Sequence, residues 1–209
     1  MDRARSKYYL RRLQQLTGIL PLAVFLGEHF FTNAHAIAGA RSFDDAVARL
    51  HDMPYLWVME IAVVIGPLLF HSIYGFFVTR EARPNNDEYS HYQNLAYMAQ
   101  RITGVILFLF IAFHVYETRV QDVLHQLGWG GEHVDYAYMA NYFSPLWVKS
   151  IYTVGLAAVA FHLGNGLFNF TFHWGITVSE KAQRGMMGVA IAASVIIFAI
   201  GMNILFAFK

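Results

Sequence analysis

The sequence predicts an all-α membrane protein: a bundle of five transmembrane helices with its N-terminus inside the cell. The composition is the first observation, because 56% of the 209 residues are hydrophobic and only 14% are charged, well below the charged fraction of a soluble domain. The second is that apolar segments of about twenty residues, enough to cross a bilayer, recur along the chain. We place them at about 13–33, 55–79, 102–118, 147–172 and 186–206, within a single membrane domain covering 1–209.

Stretches rich in turn and loop residues separate these segments, at 41–54, 80–90, 128–145 and 177–184. Pro21 and Pro67 fall inside apolar segments, where we expect them to kink the helices. The third segment is short for a spanning helix unless its flanks extend it. A basic start and the Ala34-His35-Ala36 pattern also resemble a cleaved signal peptide, but the apolar run is too long for one.

The distribution of Lys and Arg sets the predicted orientation. Positive residues collect on the cytoplasmic side of membrane proteins, and here the N-terminus with the second and fourth connections carries ten of them against five on the other side. The N-terminus is therefore expected inside and the C-terminus outside. The ten are Arg3, Arg5, Lys7, Arg11, Arg12, Arg80, Arg83, Arg101, Lys181 and Arg184; the five are Arg41, Arg49, Arg119, Lys149 and Lys209.

Four of the apolar segments contain one internal histidine each: His29, His71, His114 and His162. Burying an imidazole in hydrocarbon is costly unless its nitrogens find partners. A hydrogen-bonded core histidine would explain one such residue, but four on four helices favour metal ligation by neutral imidazole. The chain has no cysteine, which excludes thiolate ligands, cysteine-bound iron–sulfur clusters and thioether-linked haem.

Depth along the helices divides the four histidines into two pairs. With a rise of about 1.5 Å per residue, His29 lies roughly 24 Å and His114 roughly 18–20 Å from the inner face. The second and fourth helices run the other way, so His71 lies roughly 24 Å and His162 roughly 22 Å from the outer face. Two layers with two ligands each fit two bis-histidine haems b stacked across the membrane.

Glycines and a short repeat support this arrangement. Gly75 and Gly166 each follow the histidine of their segment by four residues and share its helix face, so a flat porphyrin could approach the backbone there. Glycine is also common in membrane helix packing for its own sake. Residues 14–18 read Gln-Gln-Leu-Thr-Gly and residues 100–104 read Gln-Arg-Ile-Thr-Gly, which suggests two helices with the same role.

Three stretches carry a resemblance to a known family. They are Arg11-Arg12-Leu13, residues 100–104 continued by His-Val-Tyr-Glu-Thr-Arg at 114–119, and Phe161-His162 through Asn165-Gly166 to Trp-Gly-Ile-Thr at 174–177. Over almost its whole length the chain resembles the five-helix, two-haem cytochrome b558-type membrane anchors of succinate dehydrogenases and fumarate reductases. The resemblance implies that His29 and His114 ligate the outer haem iron, and that His71 and His162 ligate the inner one.

The resemblance also implies partners and a location. A flavoprotein subunit would oxidise succinate, an iron–sulfur subunit would pass on the electrons, and this anchor in the bacterial cytoplasmic membrane would deliver them to quinone, in most such anchors menaquinone. Some fumarate-reducing members have a glutamate two residues before the inner histidine of the fourth core helix, used for proton movement. Ala160 occupies that position here, which favours succinate oxidation.

Two further groups of site residues are expected. Carboxylates inside a membrane are functional candidates, and we place the quinone site near the outer haem, with Glu60 and Glu28 as catalytic candidates. Glu60 lies about 16 Å from His71 toward the outer face by helix rise. Haem propionates need cationic or hydrogen-bonding partners. The candidates for that role are Arg11, Arg12 and Arg101, with Thr17 and Thr103 as supporting donors.

Other functions stay open on the sequence alone. A haem b subunit of a hydrogenase or formate dehydrogenase also ligates two haems with histidine, although the flanking motifs fit less well. A channel or transporter could relay protons through histidines, but it would not require matched pairs in two layers. A retinal protein needs a lysine inside a helix, and Lys149 lies only at the start of the fourth segment.

Overall fold

The computed structural model describes residues 3–81 and 91–209, and every regular element in these ranges is helical. The remainder of the predicted second connection, including Arg83, lies outside the described residues. A 3₁₀ turn, His35–Ala38, links the second and third helices. The helices are α1 (Arg3–Ile19), α2 (Pro21–Ala34), α3 (Ala40–His51), α4 (Leu56–Arg80), α5 (Tyr92–Gln126), α6 (Tyr136–Tyr142), α7 (Leu146–His173) and α8 (Glu180–Leu205).

Among the described residues, four helices are long and apolar enough to span a membrane: α4, α5, α7 and α8. They contain 25, 35, 28 and 26 residues, and each exceeds the ~20 that a bilayer requires. This confirms the all-helical membrane class, and the four helices overlap the last four predicted segments. The helix that contains the third predicted segment, α5, is much longer than expected, because polar residues on both flanks continue it.

The first predicted segment, 13–33, is divided between α1 and α2. The helix is interrupted at Leu20, directly before Pro21, because proline lacks an N–H group and its ring clashes with the preceding turn. The two pieces have 17 and 14 residues. In α4, the residues just before Pro67 form a π-helical turn, Glu60–Ile65, and the helix continues beyond it.

Three predicted connections contain more helix than expected. The 41–54 connection is mostly α3, whose Phe43 and Ala46 are buried against the rest of the protein. The 128–145 connection contains α6, and Asp135 caps its start by accepting a hydrogen bond from the Tyr138 amide. The 177–184 connection ends early because Ser179 caps α8. Capping residues and short amphipathic helices are hard to recognise in a sequence when loop-forming residues surround them.

The bundle is antiparallel and α7 lies at its centre. Both α5 and α8 pack along α7, and α1 packs against α4 and α7. At one end, α3 and α6 cover the bundle around a core that includes Phe43, Phe143, Tyr152 and Phe208; we call this the cap end. At the opposite, N-terminal end, Lys7 and Arg11 pair with Glu81, which follows α4. α2 and α5 therefore run toward the cap end, and α4 and α7 run away from it.

Candidate functional site

Two of the four predicted histidines lie side by side in the half of the bundle nearer the cap end. The ring centres of His29 on α2 and His114 on α5 are 5.6 Å apart, and the ring planes are nearly perpendicular at 82°. We call these residues the cap-side pair.

The other two histidines meet closer to the N-terminal end. The ring centres of His71 on α4 and His162 on α7 are 6.3 Å apart, with an interplanar angle of 78°; these residues are the N-side pair. Gly104 of α5 lies against His162, and His114 follows Gly104 by ten residues, or about 15 Å of helix. The two pairs therefore occupy separate layers, and iron ligation by each pair stays a prediction.

Both imidazoles of the N-side pair have an oxygen partner at Nδ1. His71 Nδ1 lies 2.8 Å from the Gln14 carbonyl oxygen, and His162 Nδ1 lies 3.2 Å from Thr103 Oγ1. A carbonyl oxygen can only accept, so His71 carries its proton on Nδ1 and keeps a lone pair on Nε2. Histidines that bind metal through Nε2 have this arrangement, with the second ring nitrogen donating to a nearby oxygen.

The two imidazoles of the cap-side pair differ in their partners at Nδ1. His114 Nδ1 lies 3.0 Å from the hydroxyl oxygen of Tyr152. The nearest partner of His29 Nδ1 is the Asn33 amide nitrogen at 3.5 Å, and that amide donates a shorter bond, 2.8 Å, to the His29 carbonyl. Among the described contacts, His114 alone in this pair has a close oxygen partner at Nδ1.

The repeated Gln-x-x-Thr-Gly sequence positions the N-side pair. A Cβ on Gly18 would come 2.5 Å from His71 Cε1, and a Cβ on Gly104 would come 3.2 Å from His162 Cε1. The glutamines that begin the two repeats lie beside Gly75 and Gly166, since a Cβ there would meet the Gln14 and Gln100 amides at 3.7 and 3.6 Å. The two halves of this layer are thus built alike.

Gln100 makes this contact part of a wider network. Its amide nitrogen donates to the His162 carbonyl at 3.0 Å, and its amide oxygen accepts from Asn165 at 2.7 Å. These bonds fix α5 to α7 one turn from the imidazole of His162. The predicted haem-contact glycines, Gly75 and Gly166, therefore lie next to glutamine side chains as well as on the faces of the histidines.

Each of the two pairs could supply two imidazole nitrogens to a haem iron. A porphyrin supplies four nitrogens, so the protein needs to add two, and each layer offers two imidazoles from different helices. Two imidazoles that shared one metal ion through bonds of about 2 Å would have ring centres about 6 Å apart, close to the 5.6 and 6.3 Å of the two pairs. Within the described ranges, no group of three or more His, Cys, Asp or Glu could hold a metal ion with protein ligands alone.

The predicted propionate partners lie near the N-side layer and differ in the hydrogen bonds and ion pairs that they already make. Arg11 pairs with Glu81 at 2.6 Å, and hydrogen bonds from Lys7 and from Arg11 hold the pKa of the Glu81 carboxyl below its usual value. Arg12 donates to the His173 carbonyl at 2.5 Å. Arg101 donates to the Tyr97 carbonyl at 2.8 Å, while its Nε is buried with no hydrogen-bond partner among the described residues.

The two supporting threonines lie close to the imidazoles of the N-side pair. Thr17 Oγ1 donates to the Gln14 carbonyl at 3.0 Å, the same oxygen that lies beside His71. Thr103 Oγ1 donates to the Ala99 carbonyl at 2.7 Å and also lies beside His162 Nδ1. Both hydroxyls are therefore close to the N-side histidines, one through a shared carbonyl and the other directly.

The two predicted quinone-site carboxylates have different surroundings. Glu28 is exposed on α2 and accepts a 2.6 Å hydrogen bond from Thr32. Glu60 pairs with Arg119 at 2.8 Å, and the same guanidinium contacts Asp122 at 3.2 Å. Glu60 and Arg119 each lie in a π-helical turn, Glu60–Ile65 and Tyr116–Val120. Such turns occur often at functional sites.

Asp122 anchors the polar cluster at the cap end. Its side chain is 5% exposed, and it accepts a 2.7 Å bond from Gln126. His51 and His133 both approach it at 3.8 Å. Neither histidine belongs to an apolar segment of the sequence, and both lie at this end of the bundle, away from the two pairs.

Sequence reasoning missed several residues that shape the layers. Tyr152, Arg119 and Asp122 had no signal that separated them from other interfacial residues. Gln14 and Gln100 did have one, because they begin the two matching repeats, but nothing in the sequence indicated which histidines they would face.

Comparisons with known proteins agree with one another. Residues 78–201 match the family described as the succinate dehydrogenase/fumarate reductase transmembrane subunit. The chain is also similar to the succinate dehydrogenase cytochrome b558 subunit of Bacillus subtilis (strain 168), with 34% identity over 202 residues that cover 97% of each protein.

Gly18→Ala tests the close approach of α1 to His71. The added methyl group would collide with the imidazole, and we expect a loss of roughly 1–3 kcal/mol of folding stability from overpacking. Thermal denaturation of the purified protein measures the effect. Gly27→Ala is the matched control, because a Cβ at Gly27 would meet nothing within 4 Å. Equal thermal stability of Gly18→Ala and the parent would contradict this packing.

Proposed function

Because the chain belongs to the succinate dehydrogenase/fumarate reductase transmembrane-subunit family, we propose that it is the di-haem membrane anchor that carries electrons to quinone. The observation that supports this most strongly is the pair of imidazoles in each of two layers, about 15 Å apart along α5. One pair lies nearer each end of the bundle. Such spacing suits electron transfer from one side of a membrane toward the other.

We propose two haems b, one for each histidine pair. His29 and His114 would hold the cap-side haem, and His71 and His162 the N-side haem. When bound, each haem supplies an iron that gains and loses one electron. The absence of cysteine excludes thioether attachment, and the name of the Bacillus relative, a cytochrome b558 subunit, supports the haem type.

The proposed topology has five spanning helices with the N-terminus inside. α1 and α2 together would form the first span, with the break at Leu20 inside the membrane. The Lys and Arg distribution then puts the cap end outside and the N-terminal end inside. On this assignment the cap-side haem is the outer one and the N-side haem is the inner one.

The proposed partners follow from this orientation. The flavoprotein and iron–sulfur subunits would dock at the N-terminal end, because the inner haem must be closest to the iron–sulfur clusters. Quinone, with menaquinone as the proposed substrate, would be reduced near the cap-side haem. The proposed location is the bacterial cytoplasmic membrane, and the proposed direction is succinate oxidation.

Contacts to haem are proposed for residues of the N-side layer. The buried Nε of Arg101, which has no partner among the described residues, supports Arg101 as a propionate ligand. Arg12 is the second candidate, and Arg11 is the weakest because Glu81 already pairs with it. The proposed supporting contacts come from Thr17, Thr103, Gly75 and Gly166.

Glu60 is our first candidate for the quinone site and Glu28 the second. Glu60 is joined to α5 through Arg119, five residues beyond His114, so it is tied to the helix that carries a cap-side ligand. Quinone reduction consumes two electrons and two protons. A carboxylic acid at the cap end could transfer those protons from the outer water.

Substituting the histidines one at a time tests the pairing. We expect His29→Ala and His114→Ala to remove the cap-side haem only, and His71→Ala and His162→Ala to remove the N-side haem only, because each change would take away one of the two imidazoles that would hold that haem. Reduced-minus-oxidised spectra and haem content give the result. His125→Ala, which changes an exposed histidine of α5, should keep both haems. Loss of the same haem from His29→Ala and His71→Ala would contradict the pairing.

Glu60→Gln tests the quinone site in the assembled complex. Glutamine keeps an oxygen for Arg119 but cannot supply a proton, so quinone reduction should fall about a hundredfold, while succinate oxidation with an artificial acceptor persists. Glu132→Gln, at an exposed cap-end position, is the control. Equal quinone turnover in Glu60→Gln and the parent, with both haems present, would remove Glu60 from the mechanism, and Glu28→Gln would then be tested by the same assay.

A further inference from the structure

The two histidine pairs differ in how their second ring nitrogens are held. In the N-side pair both Nδ1 atoms have an oxygen within 3.2 Å. In the cap-side pair the Nδ1 of His114 lies 3.0 Å from the hydroxyl of Tyr152, whereas His29 has only the amide of Asn33 at 3.5 Å. Among the described contacts, the Tyr152 hydroxyl is therefore the main hydrogen-bond partner of a ring Nδ1 in the cap-side layer.

The packing around Tyr152 fixes the position of that phenol. Its side chain belongs to the buried core, with 7% of the residue exposed. Phe110 and Phe143 approach its ring edge-on, with ring centres 5.2 and 4.7 Å away. Edge-to-face contacts are a favoured arrangement of aromatic pairs, and here they pack the ring with its hydroxyl toward His114.

Gly155, three residues after Tyr152 on α7, completes this packing. A Cβ at Gly155 would lie 2.6 Å from ring atoms of Phe110, so the glycine provides the space that Phe110 occupies. Phe110 in turn lies nearly parallel to the imidazole of His114, at 17° with ring centres 6.0 Å apart. The same stretch of α7 thus shapes both the hydrogen bond and the stacking contact of His114.

The tautomer of His114 sets the direction of its hydrogen bond with Tyr152. A neutral imidazole that offers Nε2 to a metal carries its proton on Nδ1. Nδ1 of His114 must then donate, and the Tyr152 oxygen must accept. Accepting this bond raises the electron density on the imidazole, and a more basic axial ligand stabilises the oxidised metal relative to the reduced one.

We propose that Tyr152 is a positioning residue for the cap-side iron: by accepting a hydrogen bond from His114, it orients that ligand and lowers the reduction potential of the cap-side haem alone. This rests on the proposed function, since it requires a haem at His29 and His114. Outer-shell partners of metal-bound histidines typically change metal affinity about 10- to 100-fold when they are replaced.

Redox titration of the full-length, haem-loaded complex tests the proposal by measuring the midpoint potential of each haem. The histidine variants show which midpoint potential belongs to which layer. Tyr152→Phe keeps the ring and removes the acceptor. We expect the midpoint of the cap-side haem to rise by about 59 mV, the one-electron equivalent of a tenfold change, while the N-side midpoint stays in place. Tyr136→Phe is the matched control: it removes a cap-end hydroxyl that donates to the Ala207 carbonyl at 2.9 Å, and it should move neither midpoint.

Thr103→Val provides the reciprocal measurement, because Thr103 lies beside His162; it should shift the N-side midpoint and leave the cap-side one. Selective loss of the cap-side haem from Tyr152→Phe would also support the proposal, since only the hydroxyl has been removed. Unchanged midpoints, equal shifts of both haems, or loss of both haems in Tyr152→Phe would overturn it. A parent complex without two haems would instead count against the proposed function.

Discussion

Holding four half-buried imidazoles inside an apolar bundle is the constraint that the surrounding helices must satisfy. A buried polar atom without a partner costs roughly 1–3 kcal/mol, and each imidazole has two nitrogens to satisfy. Three of the four rings use Nδ1 on an oxygen of a neighbouring helix: the Gln14 carbonyl, the Thr103 hydroxyl and the Tyr152 hydroxyl. These bonds would leave Nε2 of the three rings available to the proposed haem irons. The helices must come close to the rings to supply these oxygens, and Gly18 and Gly104 let α1 and α5 do so.

The central helices serve both layers at once. α5 places Thr103 and Gly104 at the N-side pair and, ten residues after Gly104, His114 in the cap-side pair. α7 does the same in the opposite direction, with Tyr152 in one layer and His162 in the other. Because an α-helix is stiff and rises about 1.5 Å per residue, the two layers are held at a fixed separation of about 15 Å. The repeat at 14–18 and 100–104 supplies matching supports to the N-side layer, and the cap-side layer has a different, more aromatic construction.

Much of this arrangement could be predicted from the sequence. Length and hydropathy located α4, α5, α7 and α8, because an apolar run near twenty residues is typical of a helix that spans a bilayer. Depth along the helices grouped His29 with His114 and His71 with His162 before any contact was known. What could not be predicted depends on contacts between distant residues. The helical start of α5, the amphipathic α3 and the early start of α8 are stabilised by packing and caps that local composition represents weakly. Tyr152 is one of twelve tyrosines, and only the three-dimensional contact with His114 distinguishes it.

If each histidine pair holds one haem b, the ratio of haem to protein in the purified, haem-replete complex should reveal it. That ratio is measured by a pyridine haemochrome assay, together with low-temperature electron paramagnetic resonance of the oxidised protein. We expect two haems b for each copy of this chain, both low-spin because each iron has two imidazole ligands. One haem per chain, or a high-spin iron with an open axial position in the freshly purified protein, would contradict the pairing.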